Sequence, residues 1–280
     1  MLGKWTLWAS LGLMSGHVIA MADITWAINP GPPFHIEPAP KNPVGLCDQL
    51  LDSLTPQLPD LKQTRLKVPQ GRVKELLTEP NSRMCFPCMI KRGERSDGIR
   101  YSDVTHHYPP VQLLMLESKF LQAFPDNPSR VSLQELIAQQ RWIFGYPQGR
   151  RYAVIQPLIE QQQQAQPARV VARTGDGEAG TVIELIRRGR IDYTVDYPMV
   201  LKYSLLTHPE AAESGIRAYP LQENQGQTVA GAIGCPDSPW GEAMIQRLNQ
   251  AIPALRQDPA FLHSLQFWQG QEPLPAVATN

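Results

Sequence analysis

The sequence predicts a two-lobed α/β protein, each lobe a mixed, mainly parallel sheet flanked by helices, with a ligand cleft between the lobes. Three observations carry that expectation. Strand-like and helix-like segments alternate through one half of the chain and then start again. The first residues read as an export leader. Removing them leaves 258 residues, a length that fits one large or two smaller domains.

The first unit opens with "ITWAI", a short β-type run closed by the loop chemistry of "NPGPP". "GLCDQLLDSLTPQL" places Leu46, Leu50, Leu51 and Leu54 on one helical stripe. "TRLKV" alternates as a strand does, "GRVKELLT" starts a short helix, and "MCFPCMI" is a third extended run. After "VQLLMLES" the pattern begins again. Ser132 is a candidate N-cap for "SLQELI", with Glu135 completing a capping box. "RWIFGY", "ARVVAR" and "RIDYTVDY" read as strands, separated by helices at "AVIQPLIEQQQQ" and "GEAGTVIELIRRG". The run Gln161 to Gln164 reads as the solvated face of its helix. "TVAGAIGC" and "SPWGEAMIQRLNQAIPALRQ" supply a last strand and a long amphipathic helix. Open α/β sheets bind ligands beyond the carboxyl ends of their strands, so the loops after "ITWAI", "MCFPCMI", "RWIFGY" and "RIDYTVD" are the ones to watch.

The leader has a positive Lys4, an apolar run from Trp5 to Ala20 and an Ala20-Met21-Ala22 cleavage pattern, the layout of a secretory signal peptide over residues 1–22. Its removal leaves 25 basic against 26 acidic residues. So balanced a chain gives no electrostatic case for nucleic acid or an anionic membrane. The cysteines are Cys47, Cys85, Cys88 and Cys235, and an even count in an oxidising space favours structural bridges. The C-x-x-C spacing of "CFPC" is the redox alternative, but it lacks a helix opening after a strand. The scattered histidines give no metal-ligand spacing, and no cofactor is expected.

"KRGERSDGIRYSD" resembles the T-x-x-R-x-x-x-x-x-F-S segment of periplasmic solute-binding proteins of the polar amino-acid type (extracellular solute-binding protein family 3, type II periplasmic binding fold). "PPFHI", "GLCDQLL", "GYPQGRRYA", "RRGRIDYTVDYP" and "SPWGEAMIQRLNQAI" resemble other family segments in the family's order, over nearly the whole exported chain. The resemblance is to a divergent branch. It implies lobe one at 23–110 and 226–280, lobe two at 111–225, and a monomer that closes on a small polar, carboxylate-bearing solute. The partners implied are an ABC permease or a membrane sensor, in the periplasm of a Gram-negative cell. Cys85 and Cys235 then fall on strands of one sheet region, giving a Cys85–Cys235 bridge with Cys47–Cys88 as the second.

Residue by residue, Arg95 matches the arginine that grips the ligand's carboxylate; a guanidinium fork suits that group. Its alternative is a surface salt bridge with Glu94 or Asp97. Lys91, Arg92 and Arg100 read as solvated charges. In "GYPQGRRYA", Gly149 and Arg150 lie where glycine and a small hydroxyl residue stand in the family, and Arg150 either meets an anion or is solvated. Asp196 and Tyr197 fall one position from the family's acid for an α-amino group. Phe34, Trp26, Tyr146 and Tyr152 are candidate cleft aromatics, with core packing the alternative for each. Cys88 and Ile90 replace a glycine and a threonine that bind the amino acid in the family, which points away from an ordinary α-amino acid. Two other readings stay open: a cyclohexadienyl-dehydratase-like enzyme using Glu37, His35 or Asp196 as acid or base, and an accessory protein that binds no small molecule.

Overall fold

A computed structural model describes residues 23–39, 42–148, 150–173, 178–208 and 214–270; the expected signal peptide and its cleavage site lie outside them. Two sheets organise the chain. The first contains β1 (Asp23–Ile28), β2 (Lys62–Lys67), β3 (Met84–Ile90), β4 (Arg95–Ser96), β5 (Ile99–Tyr101), β6 (His106–Tyr108) and β12 (Val229–Pro236). The second contains β7 (Gln112–Leu116), β8 (Phe144–Pro147), β9 (Val170–Arg173), β10 (Tyr193–Asp196) and β11 (Ile216–Pro220). Their orders are β2-β1-β3-β12-β5-β4, with β6 also on β12, and β11-β7-β10-β8-β9.

Both sheets are mixed. β1 pairs parallel with β2 and β3, and β8 pairs parallel with β9 and β10. Apart from the β4–β5 pair, the antiparallel share comes from the crossings: β7 leaves the first sheet to run against β10 and β11, and β12 returns to run against β3, β5 and β6. The chain thus passes between sheets twice, after Tyr108 and after Pro220.

Helices α1 (Leu46–Leu54), α2 (Val73–Thr78), α8 (Pro239–Leu255) and α9 (Pro259–Gln269) accompany the first sheet. The leucine stripe of α1 is fully buried, as its spacing requires. Ser238 and Asp258 accept from the Gly241 and Phe261 amides and start α8 and α9, each with proline in its first turn. The second sheet carries α3 (Glu117–Ala123), α4 (Leu133–Ala138), α5 (Gln156–Ala165), α6 (Glu178–Arg187) and α7 (Pro198–Thr207). Ser132 caps α4 through the Glu135 amide at 3.2 Å, while its own hydroxyl donates to Glu223. The two lobes also touch through α7 and α9, where Lys202 Nζ lies 4.0 Å above the Phe267 ring and donates to the Phe267 carbonyl.

Disulfides join Cys47 on α1 to Cys88 on β3, and Cys85 on β3 to Cys235 on β12. Gly234 pairs with Phe86 across the ladder, which makes Cys85 and Cys235 cross-strand neighbours with Cα atoms 4.3 Å apart. Two sequence expectations need correction. Trp26 is 1% exposed in the core and its indole N–H donates to Gln63, so it belongs to no cleft. Gln162 is buried, not solvated: it accepts the Tyr193 hydroxyl at 2.8 Å, because α5 turns this residue onto β10.

Candidate functional site

The site begins with the loop after β1. Asp48, in the first turn of α1, accepts from His35 Nδ1 at 2.7 Å and from the Ile36 amide at 2.8 Å. The Cys47 amide donates to the Phe34 carbonyl at 2.8 Å. This close approach needs Gly45, since a Cβ there would sit 2.5 Å from the Phe34 oxygen. So fixed, the Phe34 ring meets Tyr108, at the end of β6, with centroids 5.8 Å apart. It also meets Tyr197 of the other lobe at 6.0 Å. The edge-on geometry of both pairs is the one aromatic quadrupoles favour.

From the second lobe, β8 and β10 are parallel neighbours, so the residues beyond their carboxyl ends come together. Arg150 follows β8 and Asp196 ends β10; Arg150 Nη2 donates to Asp196 Oδ2 at 2.9 Å. The second carboxylate oxygen accepts the Tyr197 amide at 2.8 Å. Asp196 is 2% exposed. Burial pushes its carboxyl up, against the pull of the Arg150 guanidinium and the Tyr197 amide. Arg150 remains charged: burial opposes this, and Asp196, Tyr152 and Tyr197 outweigh it. Burial raises the Tyr197 hydroxyl to about 12 and lifts those of Tyr108 and Tyr152 well above the usual phenol value, so all three stay neutral donors near neutral pH.

Beside this pair lies a cavity of about 300 Å³. Its walls come from the end of β3 (Ile90, Lys91), the start of β12 (Val229, Ala230), both crossings (Pro110, Val111, Asn224, Gln227, Thr228) and lobe two (Arg151, Tyr152, Val154, Tyr197). Asn224 is buried; its Nδ2 donates to the Val111 carbonyl, and its Oδ1 has no partner among the described residues. The Tyr152 and Tyr108 hydroxyls likewise have none. Lys91 donates to the Ser102 carbonyl at 2.5 Å, and Arg151 reaches Glu160 at 3.7 Å. The cavity thus combines apolar walls, two cations and buried polar atoms able to take a ligand's hydrogen bonds.

Of the residues singled out in the sequence, Ile90, Tyr152 and Tyr197 line the cavity, and Phe34, Arg150 and Asp196 form the adjoining cluster. Tyr146 stacks on Phe144 instead, and Gly149 lies outside the described residues. Arg95 is a correction. It sits on β4 at the sheet edge, 56% exposed, with Asp237 at 3.8 Å, and does not line the cavity. The cause is the turn after it: Asp97 and Gly98 both have positive φ, 56° and 78°, and fold β4 back on β5 in a two-residue hairpin. Lys91, read as a solvated charge, lines the cavity; Arg100 is largely covered and pairs with Asp237 and Glu242. Arg92 stays on the surface near Asp97. Of the acid–base candidates, Glu37 is exposed beside Lys67, His35 is bound to Asp48 and Asp196 to Arg150. Tyr108, Lys91, Arg151 and Asn224 were not anticipated. The aromatic ahead of "PP" and the lysine closing the third strand were the available signals for the first two.

No family model matches the chain and no curated protein matches its sequence. Solved structures do match in fold. A protein from glutathione import and the cystine ABC importer of Streptococcus mutans has TM-score 0.65 at 12% identity, over 91% of this chain and 97% of its own. A histidine kinase sensor domain similar to periplasmic binding proteins has TM-score 0.65 at 11% identity, over 90% and 98%. An ancestral amino acid-binding protein, a precursor of cyclohexadienyl dehydratase, has TM-score 0.63 at 13% identity, over 90% and 97%. With two mixed sheets, two crossings and a cavity where they meet, the chain has the two-lobed fold of type II periplasmic binding proteins.

Proposed function

We propose that the chain captures a small polar, carboxylate-bearing solute between its lobes in the periplasm and presents it to an ABC permease or a membrane sensor. The observation that carries this reading is the cavity where both crossings meet, bounded by Lys91 and Arg151 and by buried polar atoms of Tyr152 and Asn224. About 300 Å³ suits a small solute. Lobe one (23–110 and 226–280) and lobe two (111–225) would close about the crossings, since both contribute to the walls. Binding is favoured over catalysis because Glu37, His35 and Asp196 are each engaged by a protein partner and none lines the cavity.

Native mass spectrometry of the exported protein as purified tests the reading. The expected result is a retained small acid whose re-addition to stripped protein raises its melting temperature and compacts it in small-angle scattering. No retained solute, together with no stabilisation by a panel of small carboxylic acids, would overturn it.

A further inference from the structure

Arg150 reaches from the end of β8 into the space between the lobes and is held there by groups from both. Its guanidinium meets Asp196 at 2.9 Å and lies 5.9 Å from the centre of the Phe34 ring, across the lobe boundary. Tyr108 and Tyr197, with centroids 5.2 Å apart, both contact Phe34 and complete the aromatic wall. A buried carboxylate beneath aromatic faces is the chemistry that holds a cation, because the anion and the ring quadrupoles attract it together. Here the cation belongs to the chain itself.

We propose that the cleft contains a cation subsite whose occupant is Arg150, so that the solute bound beside it is an anion without an ammonium group, such as a 2-oxo or 2-hydroxy acid. Both oxygens of Asp196 are engaged, by Arg150 and by the Tyr197 amide. An incoming ammonium finds no free carboxylate among the residues that line the cavity, and faces Lys91 and Arg151 as like charges. Only neutral acceptors such as Asn224 Oδ1 are left to offset its desolvation, whereas a carboxylate gains from both cations. Arg95, turned to the sheet edge, takes no part. The choice of solute rests on the solute-binding reading above; the occupied cation subsite does not.

Two arms of one experiment separate these claims. In the first, methylguanidinium is titrated into wild type, Arg150→Ala and Arg150→Ala/Asp196→Asn. The cation should raise the melting temperature of Arg150→Ala alone and bind it at least about tenfold more tightly than wild type. An equal response in all three proteins overturns the subsite. Should Arg150→Ala not fold unaided, refolding with and without methylguanidinium decides the same question: recovery only with the cation supports the subsite, and no recovery overturns it. In the second arm, wild type is titrated with matched trios: phenylalanine, phenylpyruvate and phenyllactate, and the leucine equivalents. The oxo or hydroxy acid should bind at least about tenfold more tightly than the amino acid. Tighter binding of the amino acid overturns the anion preference while leaving solute binding intact. Silence across every trio counts against the preference and the solute-binding reading together, and the methylguanidinium arm still decides the subsite.

Discussion

Lobe one and lobe two hold their cleft-facing loops by different means. All four cysteines are in lobe one, where the Cys47–Cys88 bridge ties the helix carrying the Phe34 loop to β3, and Cys85–Cys235 ties β3 to β12. Lobe two contains no cysteine, and its cleft loops meet where the half-buried Arg150 pairs with the buried Asp196. The arginines divide the same way. Arg95 and Arg150 each come after an interior strand with a parallel partner, β3 and β8, but the chain beyond β3 runs out to the sheet-edge hairpin of β4 and β5, where Arg95 lies, whereas Arg150 lies in the loop just beyond β8. Only the second arrangement delivers an arginine to the interlobe space. Position after a strand is therefore not enough; the path the chain takes beyond the strand decides.

The contrast can be broken at its strongest point first. Asp196→Ala leaves the Arg150 guanidinium without its carboxylate, and losing one partner of a buried pair costs about 3–5 kcal/mol. Denaturant unfolding should show that loss, and a loss under about 1 kcal/mol would mean the pair is solvated. Removing the Cys47–Cys88 bridge by the double alanine variant should cost about 2–4 kcal/mol. Reduction that opens both bridges should cost the wild type at least as much, and identical unfolding curves for the oxidised and the fully reduced protein would show that the bridges carry no stability.

A third, smaller effect belongs to lobe one alone. His106 is buried against Tyr108 and Phe261, and burial, with His107 adding to it, lowers its pKa from 6.5 to about 3. Between those values the unfolded chain binds a proton that the folded chain does not, so stability falls as pH drops through this window. The slope is about 1.4 kcal/mol per pH unit from this one group. His106→Gln should flatten the profile between pH 6 and pH 4 by roughly that slope. An unchanged profile would place the acid sensitivity elsewhere.

Much of the fold was legible because its signals are local. The leucine stripe of α1 follows from spacing, the strand at "MCFPCMI" from its apolar run, and the cap of α4 from one residue. Helix α7, "PMVLKYSLLT", was not legible: apolar residues surround it because it packs against α6 on one side and α9 on another, which erases the periodicity. The hairpin at Asp97-Gly98 was written in the sequence as an aspartate–glycine turn between β-type residues, and the resemblance around Arg95 drew attention from it. Asp196, Tyr197 and Tyr152 stood out because strand ends locate a cleft, and Tyr152 and Tyr197 line the cavity with Asp196 beside it. Lys91 and Asn224 did not, since their places in the cavity wall depend on the two crossings converging, which no local pattern encodes.

The claim that a carboxylate is held at the crossing cavity and not at the lobe-one hairpin is tested most directly by calorimetric titration of wild type, Lys91→Ala and Arg95→Ala. The titrant is whichever acid of the matched trios stabilises wild type most. Lys91→Ala should weaken binding at least about tenfold, while Arg95→Ala, with its exposed contact to Asp237, should stay within about twofold of wild type. The opposite outcome, with affinity lost in Arg95→Ala and kept in Lys91→Ala, would contradict the account and return the ligand to the hairpin.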